Sequence, residues 1–229
     1  MPGKSVMCYL RSPSWPSTGE PHGAILTGLQ TTSHIFSMPK ENVREKILTV
    51  SLDTVHRRGF NATGVQQIVD AAGVPKGSFY NYFDSKEAWG LEVLDLYFQG
   101  FGASLKVLDD RSKSPVERLR LYFESLGRTL EKWEFEKGCL VGNLSGELSD
   151  QSQVVRDRLA SVYAGWVRRI ESCVREGQDR GEIPRDLKAS MIAAFLLHAW
   201  QGTVLRTKVD KDNTAVKQFL AVVFKKILN

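Results

Sequence analysis

Cysteine is scarce in this chain of 229 residues, and the three that occur, Cys8, Cys139 and Cys173, stand far apart. None belongs to a CxxC pair or has a histidine at the spacing of a zinc ligand, so the sequence predicts neither a disulfide framework nor a metal site. No apolar run approaches the roughly 20 residues that a membrane-spanning helix needs. We therefore expect a protein without metal or cofactor that works in the reducing cytoplasm, away from the membrane.

Signatures of catalysis are also missing. The sequence holds no HExxH, Walker, GxGxxG or paired-carboxylate arrangement. Cys139 has no neighbouring histidine in the sequence that would act as its base. Two functional classes nevertheless stay open on this evidence. One is a thiol-dependent enzyme built on a helical bundle, and the other is an adaptor that binds only other proteins.

Positive charge is in excess, but its distribution identifies no partner. The net charge of +5 suits an anionic partner in principle. From Met38 to Gly100, however, seven Lys or Arg stand against eight Asp or Glu, a balance of 7 − 8 = −1. Most of the excess lies after Phe101. Charge alone therefore does not indicate a nucleic acid.

The first 37 residues differ in composition from the rest. Eighteen of them are Pro, Ser, Gly or Thr, and only Lys4, Arg11 and Glu20 are charged. No helical or strand period runs through them, and no continuous apolar stretch follows a basic start as in a secretory signal. We interpret residues 1–37 as a disordered leader. A further hypothesis is that Met38 is the biological start, because helical patterning begins directly after it.

After Met38 the apolar residues recur at intervals of about 3.6, which is typical of amphipathic helices, and no alternating strand pattern competes. Ser114, Pro115 and Glu117 illustrate the start signals, with a cap, a proline at the first position and an acid at the third. Nine helices are predicted, so the fold class is all-α. The first three form a small unit within residues 38–98, and the larger ones occupy mainly residues 99–229.

The small unit has the proportions of a helix-turn-helix. Thr63 and Gln66 fit a capping box for a short second helix that runs to about Ala72. Gly73 permits a left-handed turn, and Pro75 presets the first turn of a third helix. In this arrangement the last helix enters the major groove of DNA with its amino-terminal residues at the base edges.

The stretch GVPKGSFYNYFDSKEAW crowds aromatic and polar residues together on this third helix. Phe79 and Phe83 are four residues apart, so both should face the first two helices. Lys76, Ser78 and Asn81 then face outward, where they suit hydrogen bonds to bases and phosphates. Gly77 leaves room for a close approach of the DNA. A three-helix cap whose tyrosines merely lie at the surface is the structural alternative.

The segment TGVQQIVDAAGVPKGSFYNYFDSKEAWG closely resembles the amino-terminal signature of TetR-family transcriptional regulators, and the resemblance runs from about Lys40 to Leu96. It implies that residues 38–98 are a DNA-binding domain. It also implies that residues 99–229 dimerise through the last two helices and bind an effector. Carried over to this sequence, the phosphate contacts would be Thr63, Lys76, Tyr80, Tyr82 and Lys86. The base-reading residues would be Lys76, Ser78 and Asn81.

The expected partners are therefore double-stranded DNA with a pseudo-palindromic operator, a second copy of the chain and an unidentified small-molecule effector. The dimer interface is predicted at Ile192, Leu196, Trp200, Val216, Phe219, Leu220, Val223 and Ile227, unless these residues belong to the core of one protomer. The effector pocket is predicted among Tyr97, Phe101, Tyr122, Phe123, Trp133, Tyr163, Trp166, Phe195 and His198. Each of these side chains is equally suited to a core position.

A second unusual stretch, GCLVGNLSGELSDQS, begins at Gly138. It resembles more narrowly the branch of the family that includes the repressor of N-ethylmaleimide reductase, an electrophile sensor with a cysteine after a glycine here and a lysine where Lys208 stands. A helix beginning at Cys139 would place the thiol at the positive end of the helix dipole, which favours the thiolate, and a nearby lysine would favour it further.

Two interpretations of Cys139 thus stay open, namely a redox or electrophile sensor assisted by Lys208, and a small buried apolar residue. With the sensor included, the predicted function is a transcriptional repressor. It would leave its operator when a small molecule, electrophile or oxidant acts on the carboxy-terminal domain. Activation instead of repression is also compatible with the sequence.

Overall fold

The computed structural model describes residues 42–229, so the leader and the start proposed at Met38 lie outside the described residues. Within this range there are nine α-helices and no strands, which confirms the predicted fold class. The helices are α1 Val43–Arg58, α2 Val65–Ala72, α3 Gly77–Tyr80, α4 Lys86–Leu105, α5 Pro115–Lys132, α6 Leu140–Leu148, α7 Gln153–Asp179, α8 Ala189–Asp210 and α9 Thr214–Val222. A 3₁₀ turn, Lys106–Asp109, follows α4, and a π-helical turn, Val223–Ile227, follows α9. None of the helices described is long and apolar enough to cross a membrane.

Several helices begin at serine caps, and the cap predicted at Ser114 is confirmed. The Ser114 hydroxyl oxygen accepts a hydrogen bond from the Glu117 backbone N–H at 3.2 Å, with Pro115 as the first helical residue of α5. Ser85 caps α4 in the same way, accepting from the Ala88 N–H at 3.0 Å. These bonds satisfy backbone donors that the first turn of a helix leaves without partners.

The capping box predicted at Thr63 is wrong. Gly64 is the N-cap of α2, and its own N–H donates to the Gln67 side-chain oxygen at 3.0 Å. The Thr63 hydroxyl donates instead to the carbonyl oxygen of Gly59 at 2.7 Å, which ties the turn between α1 and α2. The helix therefore begins one residue later than a threonine cap would place it.

The first three helices pack on the start of α4 through Trp89, which is fully buried. Its ring lies 6.3 Å from that of Phe79 and 6.1 Å from that of Phe60, and its indole N–H donates to the Ser51 hydroxyl at 3.1 Å. The domain boundary predicted after residue 98 falls inside α4, which is continuous. The helix-turn-helix and the carboxy-terminal helices therefore share one rigid element.

The core of the carboxy-terminal part lies between α5, α7, α8 and α9. Trp166 of α7 and Tyr122 of α5 are both buried there, and the indole N–H donates to the tyrosine oxygen at 2.6 Å. Burial raises the pKa of Tyr122 well above its ordinary value, so the phenol stays neutral. Arg118 is also buried, where it donates to the Leu108 carbonyl at 2.8 Å and pairs with Glu176 at 2.7 Å.

Replacement of Tyr122 by phenylalanine should lower the free energy of unfolding by about 1–3 kcal/mol, because the buried indole N–H of Trp166 loses its acceptor. Urea denaturation of the protein measures the change. The control Tyr82→Phe removes a hydroxyl from an exposed ring and should change stability by no more than about 0.5 kcal/mol. Equal stability of the two variants would contradict this account of the core.

Candidate nucleic-acid interface and ligand cavity

The turn between α2 and α3 is formed as the sequence predicts. Gly73 adopts the left-handed conformation with φ 65°, and its N–H bonds back to the carbonyl of Asp70 at 3.0 Å. Phe79 and Phe83 are buried, with exposed fractions of 0% and 2% and ring centroids 5.1 Å apart. The two rings anchor one side of α3 in the core, so its other side must face away from the protein.

The outward side of this segment carries most of the predicted DNA contacts. Lys76, Gly77, Tyr80, Asn81 and Tyr82 are exposed, and Ser78 is half-buried. A Cβ added at Gly77 would meet no heavy atom within 4 Å, so packing within the protein does not require glycine there. The surface is therefore open for an external partner to approach the backbone closely.

Thr63 and Lys86 are placed differently. Thr63 is fully buried with its hydroxyl bonded to Gly59, so its side chain offers nothing to a phosphate in this structure. The Lys86 ammonium donates to the carbonyl of Phe60 at 2.7 Å and lies 4.3 Å from the centre of the Phe60 ring. Burial lowers the pKa of Lys86. Lys86 would reach a phosphate only after releasing Phe60.

A cavity of about 550 Å³ lies where the end of α1 meets α6, α7 and α8. Its lining residues are Arg57, Arg58, Gly59, Cys139, Gly142, Asn143, Gly146, Glu147, Tyr163, Gln201, Gly202, Val204, Leu205 and Lys208. Sequence reasoning missed most of them, because polar and glycine positions on four separate helices carry no common pattern. Only the unusual glycine-rich stretch around Cys139 marked this place.

Of the aromatic residues predicted for the effector pocket, only Tyr163 lines this cavity. Tyr122, Phe123 and Trp166 are buried in the core, and Tyr97, Phe101 and Trp133 pack against it. Phe195 is 51% exposed and His198 is exposed on α8, away from the cavity. Large aromatic rings stabilise the folded state most when they fill the core, and most of this set lies there.

Cys139 and Lys208 are brought together in the cavity. Cys139 is the N-cap of α6, directly after Gly138, which has φ 73°. A Cβ at Gly138 would lie 2.8 Å from the Lys208 side chain, so the lysine stem runs over this position. The Gln201 amide N–H donates to the Cys139 sulfur at 3.5 Å. Cys173 lies elsewhere in the core, and burial raises the pKa of its thiol to about 11.

Helix α6 also holds the segment that leads from α1 into α2. At its start, the His56 Nε2–H donates to the carbonyl of Gly138 at 3.0 Å. At its end, the Glu147 carboxylate accepts from the Asn61 backbone N–H at 2.8 Å. Gly59 lies between them with φ 86°, and a Cβ there would overlap that carboxylate. The cavity is thus in direct contact with the helix-turn-helix.

The predicted dimer interface needs a correction. Six of its residues are buried in the protomer core, namely Ile192, Leu196, Trp200, Val216, Phe219 and Val223, and Leu220 and Ile227 are partly buried. The six buried residues already contact other helices of the same chain, although Phe219, Val223 and Ile227 of the predicted set also line a groove between α8 and α9 at the surface. The exposed apolar side chains of α8 and α9 are Met191, Phe195, Leu205, Val209 and Val222.

Both the helix-turn-helix part and the carboxy-terminal part of the chain match known protein families. Residues 47–89 match the family described as "Bacterial regulatory proteins, tetR family", and residues 115–223 match "Tetracyclin repressor-like, C-terminal domain". The transcriptional repressor DhaR of Mycobacterium sp. (strain GP1) is 41% identical over 192 residues, covering 83% of this chain and 95% of that protein.

Two crystal structures are similar to the fold. The regulatory protein TetR from Rhodobacter sphaeroides has 32% identity and a TM-score of 0.74, with coverage of 80% of this chain and 96% of the other. The reduced form of E. coli NemR has 27% identity and a TM-score of 0.72, with coverage of 82% and 97%. The predicted resemblance to NemR is confirmed, although the identity to DhaR is higher.

The nine helices within residues 42–229, with their outward-facing helix-turn-helix and helical carboxy-terminal part, define a class of DNA-binding transcriptional regulators. The chain belongs to the TetR family. Members of this family are regulators that bind DNA operators as dimers, and ligand-responsive repression is typical of them. Among residues 42–229 no group of three or more His, Cys, Asp or Glu side chains is arranged to hold a metal ion.

Acidification should destabilise the protein through His56. Burial lowers the pKa of this histidine to about 4 from its ordinary 6.5, so the unfolded chain binds the proton more tightly than the folded one. The free energy of unfolding should therefore fall as the pH drops from 6.5 to 4, by up to about 3 kcal/mol from this residue. Urea denaturation at several pH values measures the slope.

The variant His56→Gln is the control, since glutamine can donate to the Gly138 carbonyl but does not titrate. It should lose this part of the pH dependence while other groups keep theirs. An unchanged slope in His56→Gln would show that His56 is not its source.

Proposed function

We propose that this chain is a repressor that binds a pseudo-palindromic operator in the cytoplasm as a homodimer and leaves it when the cavity at Cys139 is occupied or modified. The observation that carries the proposal is the inward anchoring of Phe79 and Phe83, which leaves the polar edge of α3 open. An enzyme or a protein-binding adaptor would have no need of such an edge beside a glycine with free space.

The outward residues take different roles in this proposal. Lys76 and the hydroxyls of Tyr80 and Tyr82 contact phosphates, which sets the position of the protein on DNA. Ser78 and Asn81 form hydrogen bonds with base edges in the major groove. Gly77 lets the backbone come close. Thr63 is left out because its hydroxyl bonds to Gly59, and Lys86 joins only if DNA draws it from Phe60.

The homodimer would form through the outer faces of α8 and α9. The exposed apolar residues there form a set that a monomer would leave in water, and a groove of about 350 Å³ with Phe195 and Val222 in its wall runs between the two helices. A two-fold axis through this face would place two copies of α3 on two half-sites of DNA, which doubles the base pairs read.

The cavity fits an effector site because it links to the DNA-binding part. Cys139, Lys208 and Gln201 lie on the carboxy-terminal side, while Arg58 and Gly59 belong to the end of α1. A ligand or an adduct here would shift α6 against the segment held by Glu147 and His56. Operator release then requires only that the ligand prefers the conformation that cannot bind DNA.

The DNA contacts are tested by mobility shift with the DNA upstream of the chain's own gene at two salt concentrations. Lys76→Ala should weaken binding to all sequences alike and reduce the salt slope by about 1, because it removes one phosphate contact. Asn81→Ala should relax preference at one base position by about 1–3 kcal/mol. Lys106→Ala, in the 3₁₀ turn that follows α4, should change neither property.

Binding that does not weaken with salt would contradict a DNA-binding role and favour the adaptor. Identical behaviour of Lys76→Ala and Asn81→Ala would contradict the division into phosphate and base contacts.

Alkylation of Cys139 by a maleimide should weaken operator binding, by about 10-fold or more if the adduct shifts α6. The thioether forms as the thiolate adds to the maleimide double bond, and a solvent proton completes the addition. Cys139→Ser should bind the operator and resist this effect, and Cys173→Ser should respond as the wild type does, because Cys173 lies outside the cavity. A modified Cys139 with unchanged DNA affinity would overturn the sensor role.

A further inference from the structure

We infer that the cavity between α1, α6 and α8 is built for a small anionic ligand, such as a short carboxylate, held between Arg58 and Lys208. The inference rests on the proposed function and names the chemical class of the effector. It follows from the charges that line the cavity and from the partners that each of them has or lacks.

Four charged side chains line the cavity, namely the cations Arg57, Arg58 and Lys208 and the carboxylate of Glu147. Arg57 pairs with Asp53 at 3.0 Å and with Glu136. Glu147 accepts the Asn61 N–H and lies close enough to Lys86 to raise the pKa of that ammonium, against the larger effect of burial. Arg57 is thus neutralised by ion pairs, and the Glu147 carboxylate is engaged by Asn61.

Arg58 and Lys208 are the two that remain. In the part of the chain that the structure describes, neither has a carboxylate at ion-pair distance or a hydrogen-bond acceptor. Both line the same cavity, Arg58 from the last residue of α1 and Lys208 from the last turn of α8. Two uncompensated cations on one concave surface attract an anion and repel a cation.

The rest of the lining fits a small molecule with one polar end. Val204 and Leu205 supply apolar surface, while Gly142 and Gly146 leave space. The volume of about 550 Å³ lies within the usual range for small-molecule sites, about 300–1,000 Å³. A short carboxylate would therefore place its charge between the cations and its apolar body near Cys139.

The positions of Arg58 and Lys208 on different helices indicate how an anion would affect DNA binding. Arg58 belongs to α1 of the helix-turn-helix and precedes Gly59, where the segment held by Glu147 begins. Lys208 belongs to α8, which carries much of the proposed dimer face. An anion held by both would fix the position of α1 relative to α8, and so favour one of the two conformations of the dimer.

Two alkylating agents of nearly equal size, iodoacetate and iodoacetamide, test the inference. With either agent the Cys139 thiolate attacks the CH₂ carbon, a sulfur–carbon bond forms, the carbon–iodine bond breaks and iodide leaves, while the thiol proton goes to solvent. The anion and the neutral amide thus report the same reaction with and without a negative charge. Glutathione supplies the ratio of the two rates for a free thiol.

The ratio of iodoacetate to iodoacetamide rates at Cys139, measured by peptide mass spectrometry on the full chain, should exceed the glutathione ratio by about 10-fold at low ionic strength. It should fall towards the glutathione value as salt is added, because salt screens exposed charges. Arg58→Gln and Lys208→Gln should each lower the ratio several-fold. Arg168→Gln removes an exposed cation of α7 that does not line the cavity, and should leave the ratio unchanged.

A wild-type ratio within about 2-fold of that of glutathione would overturn the inference, and this comparison needs no variant to fold. A ratio that is high but equally high in Arg58→Gln and Lys208→Gln would overturn it as well. Cys139 and Cys173 are both buried, so the rate at Cys139 reports on the cavity only while Cys173 in the same digest stays unmodified, and alkylation of Cys173 identifies a variant that has unfolded.

The inference and the proposed function fail separately. A high ratio that depends on Arg58 and Lys208 supports the anion site even if alkylation leaves operator affinity unchanged, in which case only the effector role is wrong. If a maleimide releases the operator but the ratio equals that of glutathione, the sensor role of Cys139 is supported and the anion site is contradicted.

Discussion

The burial of Phe79 against Phe83 and Trp89 is the contact on which the DNA-binding part of this molecule depends. α3 has only four residues and too few internal hydrogen bonds to be stable alone, so its orientation comes from these rings. Trp89 belongs to α4, which continues into the carboxy-terminal part without a break. The same packing therefore sets the polar edge of α3 and ties it to the helix that leads towards the cavity.

The second constraint is the way α6 is fastened at both ends. The bonds from His56 to Gly138 and from Asn61 to Glu147 join a short helix to the segment just before the helix-turn-helix. A partner that enters the cavity touches this helix and the end of α1 at once. Coupling between a ligand and DNA needs such a shared element, because a ligand shifts an equilibrium only by its preference for one state.

Most of the fold and the outward side of α3 could be predicted from the sequence, and the cavity and the exposed apolar face of α8 and α9 could not. Lys76 and Asn81 were predicted to face outward because short-range spacing sets which side of a helix faces the core. Thr63 was misassigned because its hydroxyl reaches Gly59 across a turn rather than the backbone of α2. Most of the rings predicted for the effector pocket lie in or against the core, because a list of rings does not say which of them fill it.

By itself, the sequence determined the all-α class, the cap at Ser114 and the side of α3 that faces outward, since these depend on neighbours within about four residues. Only the tertiary structure decided that Cys139, Lys208 and Arg58 line one cavity, and that Phe195 faces outward while Trp200 is buried. α8 is apolar nearly all round, so its period cannot distinguish a core face from a dimer face. Contacts between residues far apart in the chain determine which side of α8 is buried.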